Sequence, residues 1–244
     1  MQSGQSQQSA SRVGAALAAA ARGAGDPRRV PDALCTACVR LLPVTGASVS
    51  LSGGRGIRVT WCATDRVAAR LAELQYTVGE GPCQSALDQG VPVFAADLAG
   101  RRDTCRWPIF AHEAVGLGAA AVFSLPLGVT GTAIGTLDLY CDRPGGLAEP
   151  DLRTALRVRD AVTDALTDLR PRGEERGEEG EAASWVCASQ ADHTEVQQAV
   201  GMVMVQLDLD PEQALDRIRA RAFAEGRTVS QAARRVLARR LSFQ

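Results

Sequence analysis

From Arg170 to Glu181 the chain consists only of arginine, proline, glycine and glutamate. Nothing in that run can be buried as apolar surface, so it cannot belong to a core, and it reads as part of a linker spanning residues 170–184. Each side must therefore close a core of its own. The sequence divides into a unit at 29–169 and a second unit at 185–244, preceded by residues 1–28. Those first residues are polar and alanine-rich, then glycine- and proline-containing. They read as a flexible tail with a short helix from Ser11 to Ala21.

The first unit mixes two periodicities. Val30, Leu34, Cys38 and Leu41 recur at helical spacing, and Pro43 ends that helix. Val49 and Leu51 then alternate with serines, and Ile57, Val59 and Trp61 alternate with Arg58 and Thr60. Gly53, Gly54 and Gly56 lie between the two runs, the pattern of a hairpin. A helix capped by Asp65 follows, then a short helix after Gly79 and a strand at Val91 to Phe94. A polar loop leads to a short helix from Trp107 to Val115. The apolar runs Ala119–Leu127 and Ala133–Tyr140 form a second hairpin, and a helix from Glu149 to Leu169 closes the unit. Antiparallel hairpins mixed with helices predict an α+β fold. The second unit shows three helical stretches and no strand. Val196, Ala199, Val200, Val203 and Leu207 mark the first. Ala214, Leu215, Ile218 and Ala222 follow Asp210 and Pro211 in the second. Val229, Ala233, Val236, Leu237 and Leu241 mark the third. So small a bundle makes a marginal core, and the Glu149–Leu169 helix carries an apolar stripe. Partly on these grounds a homodimer is expected.

Composition excludes more than it identifies. The net charge of −1 points to no global attraction for nucleic acid or membrane. No stretch reaches the roughly 20 apolar residues of a membrane span, and the thin positive charge before Val13–Ala21 does not make a signal peptide. A cytoplasmic protein is expected, with its seven cysteines reduced, since an odd count at irregular spacing is no disulfide framework.

The run Gly79-Glu80-Gly81-Pro82-Cys83, with Asp97-Leu98, Arg106-Trp107-Pro108, Leu125-Pro126-Leu127 and Ile134 to Tyr140, resembles the GAF domains of actinobacterial regulators. The tail resembles the ANTAR domain. That likeness is carried by Glu195 to Met204, by Ala214-Leu215 with Ile218-Arg219, by Ala222-Phe223, and by Arg227 with Val229, Ala232 and Ala233. The two resemblances imply a sensory α+β domain with an antiparallel sheet and flanking helices, followed by an all-α three-helix domain. They also imply that the latter binds paired RNA stem-loops and prevents a terminator hairpin from forming. Where many family members carry lysine before the helical glycine, this chain has Val200.

Charge in the last unit fits that expectation. From Glu212 onward eight arginines face three carboxylates, a local excess of five positive charges. The candidate RNA-binding residues are Gln198, Gly201, Arg217, Arg219, Arg221, Arg227, Arg234, Arg235 and Arg239. The guanidinium groups would neutralise phosphates or stack on splayed bases. Arg217 and Arg221 share a helix face, as do Arg235 and Arg239. Gln198 would offer its amide to a base, and Gly201 would allow close approach.

Other patterns read as structural. Cys35 and Cys38 have the spacing of a metal or redox pair, but zinc needs two further ligands, and both read as small core residues. Gly53 to Gly56 lacks the Lys-Ser/Thr ending of a phosphate loop. His112 reads as surface, and His193 as a polar residue at a helix start. No catalytic triad or nucleophile motif is legible, so no enzyme is expected. The signal for the first domain stays open among a cyclic nucleotide, a redox change, haem and a protein contact, and no cofactor is assigned. Two rivals stand beside the antitermination reading: a DNA-binding regulator built on the arginine-rich helices, and a small-molecule enzyme in the first domain.

Overall fold

The computed structural model describes residues 2–26, 29–52, 58–129, 132–168 and 182–243. Two helices open the chain, α1 (Gln2–Gly23) and α2 (Val30–Leu41), followed by the strands β1 (Gly46–Ser52) and β2 (Arg58–Ala63). Then come α3 (Arg66–Val78), α4 (Pro82–Gln89), β3 (Val93–Ala95), α5 (Arg101–Arg106) and α6 (Pro108–Gly116). The hairpin β4 (Ala121–Val129) and β5 (Thr132–Cys141) leads to α7 (Glu149–Asp168). The second unit contains α8 (Ala182–Leu207), α9 (Pro211–Ala224) and α10 (Val229–Leu237). Residues 170–181 of the expected linker lie outside the described residues, as do the glycine-rich residues 53–56.

The five strands form one sheet in the order β2-β1-β5-β4-β3, with every pairing antiparallel. Strand alternation separates the two faces by chemistry. Ala47, Val49, Phe123, Leu125, Leu127, Leu137 and Leu139 point to a core shared with α1, α2 and α7. The opposite face of the inner strands carries Ser48, Ser50, Ser124, Thr136 and Asp138, all buried, on the side of α3 and α4. Helices cover both faces, which is why β1 is buried at five consecutive residues, not at every second one. The period-two reading of β2 therefore inverts in part: Arg58 and Cys62 are buried, whereas Val59 and Trp61 are partly exposed.

Capping explains where the helices begin. The Asp65 carboxylate accepts from the backbone N–H groups of Val67 at 2.7 Å and Ala68 at 2.9 Å, as its sequence position predicts. Asp210 with Gln213, and Thr228 with Gln231, form capping boxes at α9 and α10.

Two expectations need correction. The tail at 1–28 is expected to be flexible, yet α1 packs on α2 and α7 with Val13 and Leu17 buried. Its alanines supply helix propensity and little bulk, so the two larger apolar side chains can reach the core. On α7, Ala155, Val158, Val162 and Leu166 are buried under the sheet and α1, while Leu152 and Leu156 of the expected stripe stay partly exposed, and the C-terminal bundle gains extra burial from Tyr76 of α3. Second, Cys35 is disulfide-bonded, and to Cys62, not to Cys38. A separation of 27 residues carries no sequence signature; the packing of α2 on β2 brings the two Cα atoms to 6.5 Å. Reducing this bond should lower stability by about 3–4 kcal/mol, the loop-closure scale for such a separation. Urea midpoints with and without a thiol reductant test this, and identical midpoints would refute it.

Candidate functional site

Two regions carry unusual chemistry, one inside the first unit and one on the second. In the interior region the Arg58 guanidinium is buried. It donates to the Cys83 sulfur and, through Nη2 at 2.8 Å, to the Thr136 hydroxyl. Thr136 passes the contact on, donating to Asp138 Oδ2 at 3.2 Å. Burial raises the Asp138 pKa, opposed by Arg58 and by the hydrogen bond from Thr136. The Cys83 thiol is pushed up to about 12, by burial first and against the pull of Arg58, so it stays protonated at neutral pH. Gln75 completes the group by accepting from the Cys83 N–H at 2.8 Å. Gly81 lies so close that a Cβ there would sit 2.6 Å from the Gln75 Oε1, and its φ of +133° already requires glycine. Two buried donors, Arg58 Nε and Gln75 Nε2, have no partner among the described residues. Polar groups so placed favour water or a small polar guest.

The motif around Gly79 to Cys83 is therefore largely architectural. Glu80 caps α6 by accepting from the N–H groups of Ile109 at 2.7 Å and Phe110 at 2.8 Å. Trp107 donates to the Ser85 hydroxyl at 3.1 Å.

The second region is the helical bundle. Its core is Val196, Ala199, Val200 and Val203 of α8 with Leu215, Ile218, Val229, Ala233 and Val236. Val200 is thus a core residue, where a lysine would have to find its way out to solvent. The sequence-based candidates fall into separate places. Gln198, Gly201 and Arg239 line one groove of about 830 Å³ between α8 and the end of α10, beside Met202, Val205 and Leu241. Apart from its chain neighbours and its own helix backbone, no described atom lies within 4 Å of where a Gly201 Cβ would be, so this glycine serves no packing contact with another element. Arg217 is exposed on α9 and has no partner among the described residues. Arg221, Arg227 and Arg235 all bind the carboxylate of Glu225. Arg234 pairs with Glu195 on α8 at 2.9 Å.

Two candidates are placed differently from expectation. Arg219 turns toward the first unit: its guanidinium lies 5.3 Å from the Tyr76 ring centroid, pairs with Asp216 and is only 15% exposed. Arg235 and Arg239 do not share a helix face, because α10 ends at Leu237 and Arg239 has a φ of +54°. Sequence reading also missed Tyr76, Arg58 and Glu225. Tyr76 looks like any helical core aromatic, Arg58 falls on the polar half of a strand alternation, and Glu225 stands ten residues from Arg235 with no local signal joining them. Among the described residues the bundle rests on α3 and β2, and these two elements carry the main contact between the units.

No helix among the described residues is long and apolar enough to cross a membrane, and they contain no metal-binding cluster. The family models for the GAF domain and the ANTAR domain match residues 24–167 and 188–237, respectively. No curated protein matches the chain. Among solved structures, the GAF domain of a phosphoenolpyruvate-protein phosphotransferase from Coxiella burnetii is 14% identical. That match covers 67% of this chain and 95% of the other, with a TM-score of 0.53. The corresponding Acinetobacter domain is 9% identical over 67% and 94% of the two chains, at a TM-score of 0.48. Free methionine-R-sulfoxide reductase from Neisseria meningitidis is 14% identical over 65% and 90%, at 0.42. At these identities the likeness concerns the fold alone. The GAF model spans more than half of the chain and the ANTAR model its carboxy-terminal helices, so this chain belongs to the GAF-domain family and is a GAF- and ANTAR-domain regulator.

Proposed function

We propose that this regulator is a transcription antiterminator whose ANTAR domain binds RNA stem-loops in the cytoplasm under control of a signal received by its GAF domain. The observation that carries this reading is the groove in which Gln198, Gly201 and Arg239 meet on an otherwise arginine-rich bundle. An amide that can read a base edge, a floor without a side chain and a guanidinium at one rim suit a splayed nucleotide. The exposed Arg217 and Arg240 extend the positive surface beyond it.

Control is read through α3. Gln75 faces the buried Arg58–Cys83 cluster, and its neighbour Tyr76 packs into the core of the bundle with Arg219 above its ring. A small polar molecule that engages the free donors of Arg58 and Gln75 would favour one position of α3 over another. Such a signal shifts the population only by its differential affinity for the two states. Tyr76→Ala should loosen the docked bundle and raise RNA affinity several-fold without signal, measured on the full chain. Unchanged affinity together with an unchanged scattering profile would remove α3 from the mechanism. The GAF domain is read as a sensor and not an enzyme, because burial keeps the Cys83 thiol protonated, the reverse of what a nucleophile needs.

The direct test is a salt titration of affinity for a two-stem-loop RNA and for duplex DNA. The double variant Arg217→Gln, Arg239→Gln should weaken RNA binding and make the salt slope shallower by roughly 1–2. Equal or tighter binding to duplex DNA would replace this reading with that of a DNA-binding regulator.

A further inference from the structure

We propose that the turn between α9 and α10 is a phosphate-binding cradle, held closed in the free protein by the carboxylate of Glu225 standing in for the phosphate. The inference rests on the RNA reading for the source of that phosphate, but its geometry is independent of it. Three guanidinium groups from three segments converge on one side chain. Arg221, in the last turn of α9, donates Nε to Oε1 at 2.7 Å. Arg227, in the turn itself, donates Nε to Oε2 at 3.2 Å. Arg235, on α10, donates Nη1 to the same Oε2.

The numbers of charges decide what this arrangement is for. One arginine would neutralise Glu225, and exposed ion pairs contribute little to stability. Three cations around one anion repel one another and leave two positive charges uncompensated. Each guanidinium has five N–H donors in a planar fork. The three side chains remain 53%, 47% and 31% exposed, whereas Glu225 is only 21% exposed. Donors are thus left over at the surface, around an anion that has sunk between them. A phosphate group, with oxygens that accept paired N–H bonds, matches those forks.

The position of Glu225 also argues against a helix-stabilising role. It caps the carboxy-terminal end of α9, where the helix dipole disfavours a negative charge. Its backbone is pinned there, with its N–H donating to the carbonyls of Arg221 and Ala222 and with Gly226 at a φ of +61° completing the turn. The side chain can swing aside while the backbone stays. Burial pulls its pKa upward, but hydrogen bonding from Arg221 and the charges of Arg235 and Arg221 outweigh that and leave it lowered. Glu225 therefore both assembles the three arginines and competes for them, which sets a threshold that an incoming phosphate must exceed.

Glu225→Gln keeps the size and an acceptor oxygen and removes only the charge. The full chain and this variant are titrated with a two-stem-loop RNA and, separately, with inorganic pyrophosphate, the latter followed through the arginine Nε–Hε resonances. For the variant, RNA affinity should rise roughly tenfold at low salt and the salt slope should steepen by about 1. Pyrophosphate should shift the Arg221, Arg227 and Arg235 resonances at lower concentration than in the unmodified chain. Arg221→Gln should move RNA affinity the opposite way, and circular dichroism controls for folding in both. If Glu225→Gln binds RNA no more tightly than the unmodified chain and pyrophosphate leaves the three resonances in place, the cradle is refuted while the RNA reading stands. If pyrophosphate shifts the three arginines but neither protein binds RNA, the cradle holds as a phosphate site and the RNA reading falls.

Discussion

Replacing Arg58 with methionine is expected to destabilise the GAF domain by about 3–5 kcal/mol at neutral pH, the scale for leaving a buried charge uncompensated. Methionine keeps most of the aliphatic packing but removes the donors to Cys83 and Thr136. It also leaves Asp138 buried without the positive charge that opposes its raised pKa. The sign of the pH dependence follows. Asp138 has a folded-state pKa above its ordinary value, so its neutral form favours the fold. That contribution is fully present below the unfolded pKa of about 3.9 and is lost as pH rises through the folded value. Without Arg58 the folded value moves higher still, so the deficit should shrink in acid and grow toward neutral pH. Adding Asp138→Asn should recover a large part of the loss, because no charge is then left to bury. Urea unfolding near pH 4.5 and near pH 7.5 reads all three proteins. A deficit independent of pH, or no recovery in the double variant, would show that packing and not charge is the origin of the effect.

The second large effect concerns Gly201. Leucine at this position should stabilise α8 by about 0.5–1 kcal/mol, because glycine in a helix interior costs that much and no described atom of another element lies within 4 Å of the new Cβ. The same substitution should lower RNA affinity tenfold or more, since the side chain would occupy the groove between Gln198 and Arg239. The phosphate contacts stay intact, so the salt slope should barely change. Stability and binding would thus move in opposite directions, which a folding defect cannot imitate. Leucine-substituted protein that binds as tightly as the unmodified chain would place the RNA contact elsewhere on the bundle.

The elements themselves were largely legible from local pattern. The capping carboxylate of Asp65, the Asp210-Pro211 helix start and the apolar stripes of α9 and α10 are contained within stretches of four to twelve residues. Hydrophobic period and capping chemistry act over that range. The same reading supplied Gln198, Gly201 and Arg239 as separate candidates, and the groove between α8 and the end of α10 joins them. Where it erred, the deciding contact lay far away in the chain. The amino-terminal helix looks too polar to pack until α2 and α7 offer Val13 and Leu17 a place. Cys35 finds Cys62 only because α2 lies on the sheet.

What the sequence by itself determined is the pair of domains, the helices and strands within them and the local excess of arginine, because each depends on neighbours along the chain. What only the tertiary structure decided is the use of each charge. Arg219 turns to Tyr76, Arg221, Arg227 and Arg235 gather on Glu225, and Arg58 sinks into the GAF domain. The physical reason is that a guanidinium takes its role from the anion or ring that reaches it and from the water it loses. Those partners come from other helices and strands, at separations no local pattern encodes.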